Sequence, residues 1–271
     1  MTRVRSLTIA ALGCALALGV LAAFLGACAS SGVNAGQPNL ISLEEEWSLG
    51  ERLAGDLRGK LRLVDDPQAV GYVSQVGGRI VAQTELANLP WHFHIVDDPE
   101  VNAFAIPGGQ VYVDTGLIGA ADDVAEFAGV LAHEVAHGVA RHGSEQLTRA
   151  YGLQIVAGLV LDQNAPVYQQ VLAQLVGQGA MAKFSRDDER EADALGVVYM
   201  SEAGYDPHGM PRVFKVLLNQ RRSQPSSVAQ FFSSHPLTEQ RIRDVQAEIA
   251  AKHLTGSIDH DPGYQRLRKR F

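Results

Sequence analysis

The chain has 271 residues, of which 46% are hydrophobic and 20% are charged, so it can form a globular core in one large domain or two small ones. Its formal net charge is −7, and the only basic block is the closing segment RLRKRF. This charge balance argues against nucleic acid as the main partner.

The N-terminus has the layout of a secretory signal. Arg3 and Arg5 precede an apolar run that ends in small residues, which is the order of a basic region, an apolar region and a cleavage site. The segment LGAC, which ends at Cys28, resembles a bacterial lipobox, which is cut before its cysteine and lipidated on it. We therefore predict a lipoprotein-type signal peptide over residues 1–27. The alternative is a transmembrane anchor, because the run is about long enough to span a bilayer.

Cys28 is the predicted lipidation site, since Cys14 would leave too short an apolar stretch before it. Cleavage at Cys28 leaves no second cysteine, which excludes an internal disulfide. The residue after the cysteine is Ala29 and not Asp, which resembles the sorting signal of lipoproteins sent to the outer membrane. We expect a protein held by its lipid on the periplasmic side of the outer membrane, with the inner membrane as the alternative. Residues 28–40 are rich in Ser, Gly and Asn and predict a flexible tether.

The first half of the body mixes helical and strand patterns. Ser42 followed by acidic residues predicts a capped helix over 42–61, and apolar residues at helical spacing predict a second helix over 65–84. The alternating segment WHFHIV, 91–96, predicts a strand. Residues 101–118 predict a hairpin around the turn Pro-Gly-Gly.

From residue 122 onward the patterns are nearly all helical, and no linker divides the body. We therefore predict one α+β domain over 41–255, mostly helical, with a small β-sheet or hairpin ahead of the main helix. Residues 256–271 are expected to be a basic C-terminal tail.

The segment HEVAH lies inside an apolar helical pattern. His133 and His137 are four residues apart, so a helix places them on one face, where two imidazoles can bind one metal ion. Glu134 lies beside them and can take a proton from a water on that metal. This is the arrangement of zinc metallopeptidases. The apolar helix supports a metal site further, because burying a His-Glu-His set without a partner would cost free energy.

A catalytic zinc site needs a third protein ligand. The extended pattern HExxHxxGxxH is excluded, because Ala140 and Gly143 stand where it requires Gly and His. His142 is expected to face away from the pair, as a surface histidine or one that supports a ligand.

The third ligand is expected on a later helix, in the segment FSRDDEREADALG. Glu189 and Glu191 are two residues apart, so they lie on nearly opposite faces and at most one is a ligand. Glu189 is preferred because its face also carries Ala192 and Gly196, which allow close approach to the HEVAH helix. Asp193 on the same face can accept a hydrogen bond from a ligand histidine.

Four segments together resemble the HtpX and CAAX-prenyl-protease family of zinc metallopeptidases, which are gluzincins. They are VNAFAIPGGQVYVDTGLI, HEVAHGVARH, EREADALG and SSHPLTEQRI, in that order, and the resemblance spans about residues 43–250. The lipobox and the lack of further apolar spans after residue 40 resemble the soluble periplasmic branch of that family. The resemblance implies a zincin-type metallopeptidase domain.

The resemblance also implies functional residues. One zinc ion per chain would be held by His133, His137 and Glu189, with Glu134 as the catalytic base. His235 and Arg241 resemble groups placed near the zinc, opposite the base. His235 is expected to act there either as a donor to the oxyanion formed during attack or as a plug on the open zinc position.

The segment Asn102, Ala103 and Phe104 is the candidate strand edge for binding an extended substrate. The main functional hypothesis is an envelope endopeptidase that acts on unfolded or misassembled envelope proteins. The second is an envelope chaperone or assembly factor with a largely latent site, and the third is a structural zinc protein. Glu134 argues against the third, because a structural site has no use for a base. Natural substrate, cleavage preference and oligomeric state stay open.

Overall fold

The structure is a computed structural model that describes residues 38–178 and 183–271, without the side chains of 153–157 and 159–161. The predicted signal peptide, Cys28 and most of the predicted tether lie outside the described residues.

The described residues form helices around a small sheet, in the order that the sequence predicts. The N-terminal half contains α1 (Leu43–Arg58), α2 (Pro67–Val81), β1 (His92–Val96), β2 (Ala103–Ile106), β3 (Gln110–Asp114) and α3 (Thr115–Ala120). The second half contains α4 (Val124–Val139), α5 (His142–Leu161), α6 (Pro166–Gln178), α7 (Arg186–Glu202), α8 (Gly209–Ser223), a 3-10 turn (Pro225–Val228), α9 (Ala229–Ser234), α10 (Glu239–Ala251) and α11 (Pro262–Arg268).

The three strands form one sheet in the order β1-β3-β2. β1 runs parallel to β3, and β2 pairs with β3 antiparallel from Ala103–Val113 to Ile106–Gln110. The predicted hairpin is therefore confirmed. Its turn contains Gly108 and Gly109, whose φ angles of 81° and 70° suit glycine. β2 is left at one edge of the sheet.

Helix α4 lies at the centre of the fold and carries the HEVAH segment. All of its residues are buried except Gly138, which is half-buried. It packs against α7, α8, α2 and the edge strand β2. Gly196 of α7 lies close against it, since an added Cβ would lie 2.9 Å from the Ala132 carbonyl oxygen. The predicted close contact through this small residue is confirmed.

The fold class, α+β and mostly helical, is confirmed. Ser42 caps α1 as predicted, by accepting the Glu45 N–H. Residues 256–271, which the sequence marks as a tail, instead pack on the body through α11. The Tyr264 ring is buried there, and its hydroxyl donates to the Ile118 carbonyl. Among the residues that the structure describes, no helix combines the length and apolar character needed to cross a bilayer.

Candidate metal centre

The two histidines of the HEVAH segment face one another across one turn of α4. The Nε2 atoms of His133 and His137 are 3.1 Å apart, and both rings are buried. Helical periodicity produces this pairing, because residues four apart lie on one face. Glu134 is also fully buried, on the adjoining face.

Glu189 enters the same space from α7. Its Oε1 lies 3.5 Å from His137 Nε2, and its Oε2 lies 3.6 Å from His133 Nε2. The Glu191 side chain is about one-third exposed and lies outside this group, 3.4 Å from His142. The geometry thus brings together the acid that the sequence favours and leaves the other acid apart.

His235 is the fourth member of the cluster and comes from the turn between α9 and α10. Its Nδ1 lies 3.3 Å from His133 Nε2 and 3.0 Å from Glu189 Oε1. Its Nε2 lies 3.6 Å from Glu134 Oε1. The spacing of the sequence gives no hint of this placement, which only the family resemblance predicts.

These four groups fit a metal ion. One donor atom from each of His133, His137, Glu189 and His235 lies within 4.8 Å of all the others, and all four side chains are buried. Ring nitrogens and carboxylate oxygens that converge away from water need a cation or protons between them. Three imidazole nitrogens with one carboxylate are a donor set suited to zinc.

Asp193 and Arg241 support the cluster from one side. Asp193 Oδ1 lies 3.0 Å from His133 Nδ1, the nitrogen that faces away from the cluster. Arg241 donates to both Asp193 oxygens at 2.7 Å and also donates to Glu189. Its guanidinium therefore faces the two carboxylates and holds them in place.

The site's electrostatics follow from its burial. Burial raises the pKa of Glu134, against the opposing charges of His235 and His133. Burial also holds the pKa of His137 well below its usual range, which keeps the ring neutral as a metal ligand must be. Burial alone would raise the pKa of Glu189, but the charge of His235 and its hydrogen bond to Glu189 keep the pKa well below the usual value.

The edge strand β2 borders the site. The Ala105 N–H donates to Glu134 Oε2 at 3.0 Å, so the catalytic candidate touches the backbone of this edge. Asn102 and Ala103 are fully buried, and the Phe104 ring stacks on Tyr112 at a centroid distance of 4.9 Å. A polypeptide at this edge would meet the backbone of β2 rather than the Phe104 ring.

Two residues at the site were not placed there by the sequence analysis. His142 is fully buried and lies 2.9 Å from His137, so the expectation that it faces away from the pair is wrong. The position of His142 just after the HEVAH segment was the one hint of this contact in the sequence. The chain turns back toward α4 at Arg141, whose φ angle is 61°. Phe184 stacks on the His137 ring at 4.1 Å, and nothing in its sequence context indicates this.

A second group of side chains that could bind a metal ion lies apart from this cluster and consists of Asp123, Asp259 and His260. Arg212 already donates to Asp123 and Asp259, and it also donates to Asp206 at 2.8 Å. The arginine supplies the positive charge that this group needs, so it is an ion-pair cluster rather than a metal site.

Comparisons with known proteins agree with this geometry. The model of peptidase family M48 matches residues 67–249, which include every member of the cluster. The beta-barrel assembly-enhancing protease of Escherichia coli K12 is 32% identical over 228 residues, covering 79% of this chain and 45% of that protein. The mitochondrial metalloendopeptidase OMA1 of Schizosaccharomyces pombe is 35% identical over 196 residues, covering 70% of this chain and 57% of that protein. The chain spans roughly half the length of these relatives.

Proposed function

Since the chain belongs to peptidase family M48, we propose that it is a zinc-dependent endopeptidase of the bacterial cell envelope that cleaves misfolded or misassembled proteins. The observation that carries this proposal is the buried Glu134 beside a convergent set of metal ligands. A purely structural metal site would have no use for a carboxylate in that position.

One zinc ion would be held by His133, His137 and Glu189. When bound, zinc lowers the pKa of a water molecule and polarises the peptide carbonyl that this water attacks. Asp193 and Arg241 support this set, because Asp193 lies against His133 and Arg241 donates to Glu189.

Glu134 is the general base. The Ala105 N–H holds its Oε2, while Oε1 has no hydrogen-bond partner among the described residues and can accept a proton. Burial raises the pKa of Glu134, which makes the carboxylate a stronger base. The carboxylate then gives this proton to the leaving amine of the cleaved peptide.

An extended substrate would pair with the edge of β2, at the segment Asn102, Ala103 and Phe104. Pairing through main-chain hydrogen bonds requires little sequence specificity, which suits a protease for unfolded chains. Support comes from the position of β2 at the sheet edge and from its contact with Glu134 through Ala105.

His235 has two candidate roles. It could donate to the oxyanion that forms on the attacked carbonyl, or it could occupy the remaining zinc position and keep the protease inactive. Its Nδ1, 3.3 Å from His133 Nε2, supports a place on the metal, whereas its Nε2 near Glu134 supports a place in catalysis. Arg241 contributes by fixing Glu189 and Asp193.

The envelope location is proposed from the signal layout and the lipobox, with Cys28 as the lipid attachment point. The Escherichia coli relative carries the name beta-barrel assembly-enhancing protease, which suits misassembled outer-membrane proteins as the substrate class here. The relative is about twice as long as the matched region, so its assembly function comes to this chain as part of the proposal.

The deciding experiment is cleavage of casein and of an unfolded outer-membrane protein by the wild type and by Glu134→Gln, with zinc measured in both. We expect both to hold zinc and the variant to lose activity by on the order of 100- to 10,000-fold. Glu51→Gln, on the exposed face of α1, is the matched control and should cleave like the wild type.

The second candidate function is an envelope chaperone or assembly factor with a latent site. It is favoured by the burial of all four clustered side chains, with Phe184 stacked on His137. If the wild type and Glu134→Gln both hold zinc and neither cleaves either protein, this candidate replaces the protease.

A further inference from the structure

We propose that His142 and Glu191 form a hydrogen-bonded relay that fixes which nitrogen of His137 is free to bind the metal. The inference rests on the proposed metal site and extends it to two positioning residues outside the ligand set. Neither residue belongs to the cluster itself.

The relay begins at the first residue of α5. Arg141 adopts a left-handed backbone conformation, with φ of 61°, and this turns the chain so that His142 points back toward α4. The His142 ring is fully buried. Its Nδ1 lies 2.9 Å from His137 Nδ1, and its Nε2 lies 3.4 Å from Glu191 Oε2.

The direction of the relay follows from what each group can donate. An ionised Glu191 only accepts, so the facing Nε2 of His142 carries the hydrogen. In a neutral imidazole the other nitrogen is then an acceptor, so His142 Nδ1 receives the Nδ1–H of His137. The lone pair of His137 is left on Nε2, which lies 3.5 Å from Glu189 Oε1 inside the cluster.

The other ligand histidine also has an acid beside the ring nitrogen that faces away from the cluster. Asp193 Oδ1 lies directly against His133 Nδ1 at 3.0 Å. Both supporting acids come from α7, which also supplies Glu189. Glu189 faces the two ligand histidines, Glu191 faces His142, and Asp193 faces His133 Nδ1. Glu191 is on the far face of α7 from Glu189, and His142 spans the gap between Glu191 and His137.

The relay makes a measurable difference to metal binding. Groups that orient ligand histidines typically contribute on the order of 10- to 100-fold in metal affinity. His142→Leu removes the Nδ1 acceptor and fills the buried position with an apolar side chain. It should therefore weaken zinc binding by that factor. His142→Asn places an amide oxygen near the lost Nδ1 and should restore most of the affinity.

The test combines two measurements on the full chain. Zinc affinity is measured by competition with a chromogenic chelator. The tautomer of His137 is read from the nitrogen-15 shifts of its ring in the metal-free protein, which do not depend on activity. We expect the Nδ1–H tautomer in the wild type and in His142→Asn, and a mixture of tautomers in His142→Leu.

Glu191→Ala is the second variant, because it removes the far end of the relay at a partly exposed position and so carries little folding risk. It should weaken zinc binding in the same direction. Asp187→Ala, on the exposed side of the same helix, and His208→Leu, at an exposed histidine, are the matched controls and should match the wild type.

The outcomes separate this inference from the proposed function. An Nε2–H tautomer in the wild type, or unchanged tautomer and affinity in both His142→Leu and Glu191→Ala, overturns the relay. A wild type that shows the Nδ1–H tautomer but binds no zinc keeps the relay and overturns the proposed metal site instead.

Discussion

Glu189 is the one carboxylate among the four clustered side chains, and four groups surround it. It faces His133 and His137, accepts from Arg241 and lies 3.0 Å from His235. Because these contacts leave the carboxylate ionised and fixed, it is suited to be the third ligand.

We therefore expect Glu189→Ala to lose most of its bound zinc. Glu191→Gln should keep it, because the amide oxygen can still accept from His142. Metal analysis of the two purified variants measures this. Stoichiometric zinc in Glu189→Ala would show that another group completes the ligand set.

His235→Ala distinguishes the two roles proposed for His235. As an oxyanion donor, His235 is needed for turnover, so the variant should lose on the order of a hundredfold in rate with zinc retained. As a plug, its removal should raise activity and reduce discrimination, with self-cleavage as a visible sign. Wild-type turnover together with wild-type zinc content would contradict both roles.

Asp114 is a buried carboxyl group that lies away from the metal centre. Burial, together with the negative charges of Asp98 and Glu100, raises the pKa of Asp114 from the ordinary value of 3.8 to about 8. Between about pH 4 and pH 8, Asp114 therefore keeps its proton in the folded state but loses it in the unfolded state. The free energy of unfolding falls as the pH rises through this range.

Asp114→Asn should remove this dependence. Relative to the variant, the wild type should lose at most about 1.4 kcal/mol in free energy of unfolding for each pH unit between about 4 and 8. Urea unfolding of both proteins at several pH values measures the difference. Parallel stability curves over this range would mean that the Asp114 carboxylate is charged throughout.

At the scale of elements, the contact between α4 and α7 sets the geometry of the site. A Cβ at Gly196 would lie 2.9 Å from the Ala132 carbonyl oxygen and 3.1 Å from the His133 nitrogen. Both neighbours are backbone atoms, so the helices must separate to admit a methyl group.

Gly196→Ala should therefore cost about 1–3 kcal/mol in stability and weaken zinc binding, because α7 carries Glu189 and Asp193. Gly71→Ala is the matched control, since nothing lies within 4 Å of its added Cβ in α2, and it should be neutral or mildly stabilising. Urea unfolding and zinc competition measure both effects. Equal behaviour of the two variants would show that the helices are not in tight contact.

Local sequence signals predicted the elements well, and long-range relations less so. The cap at Ser42, the Pro-Gly-Gly hairpin and the His133–His137 pair depend on neighbours within a few residues, so the sequence carries them directly. Arg141 has a positive φ angle, which residues other than glycine usually avoid, and this turn brings His142 to His137. No pattern in the sequence predicts this turn.

The engagement of Arg241 with Asp193 and Glu189 was also hidden from the sequence. It joins residues 48 and 52 positions apart, and it depends on how α10 crosses α7. The packing of residues 256–271 was missed for a similar reason. The basic composition of this segment suggests a solvated tail, whereas Tyr264 and Leu267 are buried and the Tyr264 hydroxyl donates to the Ile118 carbonyl of α3.

At the scale of the whole molecule, two apolar clusters lie on opposite faces of the sheet. One face of the sheet, with Phe93, Val111 and Val113, belongs to the core around α4. The other, with Phe104 and Tyr112, packs with residues of α1 and α6. The metal centre therefore lies on the α4 side of a sheet that is covered on both faces.

The N-terminal end of the described chain is fixed close to the metal centre. The Asn39 amide donates to Ser144 at 2.8 Å, and Arg141 donates to the Ile41 carbonyl. Both partners lie at the start of α5, next to His142. If the part of the predicted tether that precedes Asn39, residues 28–38, is as flexible as its composition predicts, its mean span is about 20 Å. A lipid on Cys28 would then keep the site within a few tens of ångströms of the bilayer.

Cys28→Ala should consequently stop lipidation and release both protein and activity into the soluble fraction, with the specific activity unchanged because the site itself is untouched. Membrane fractionation and the mass of the mature N-terminus measure this. Cys14→Ala is the matched control and should stay on the membrane. Retention of Cys28→Ala on the membrane with an uncleaved N-terminus would show that the apolar run is a transmembrane anchor, which tethers the same body without a lipid.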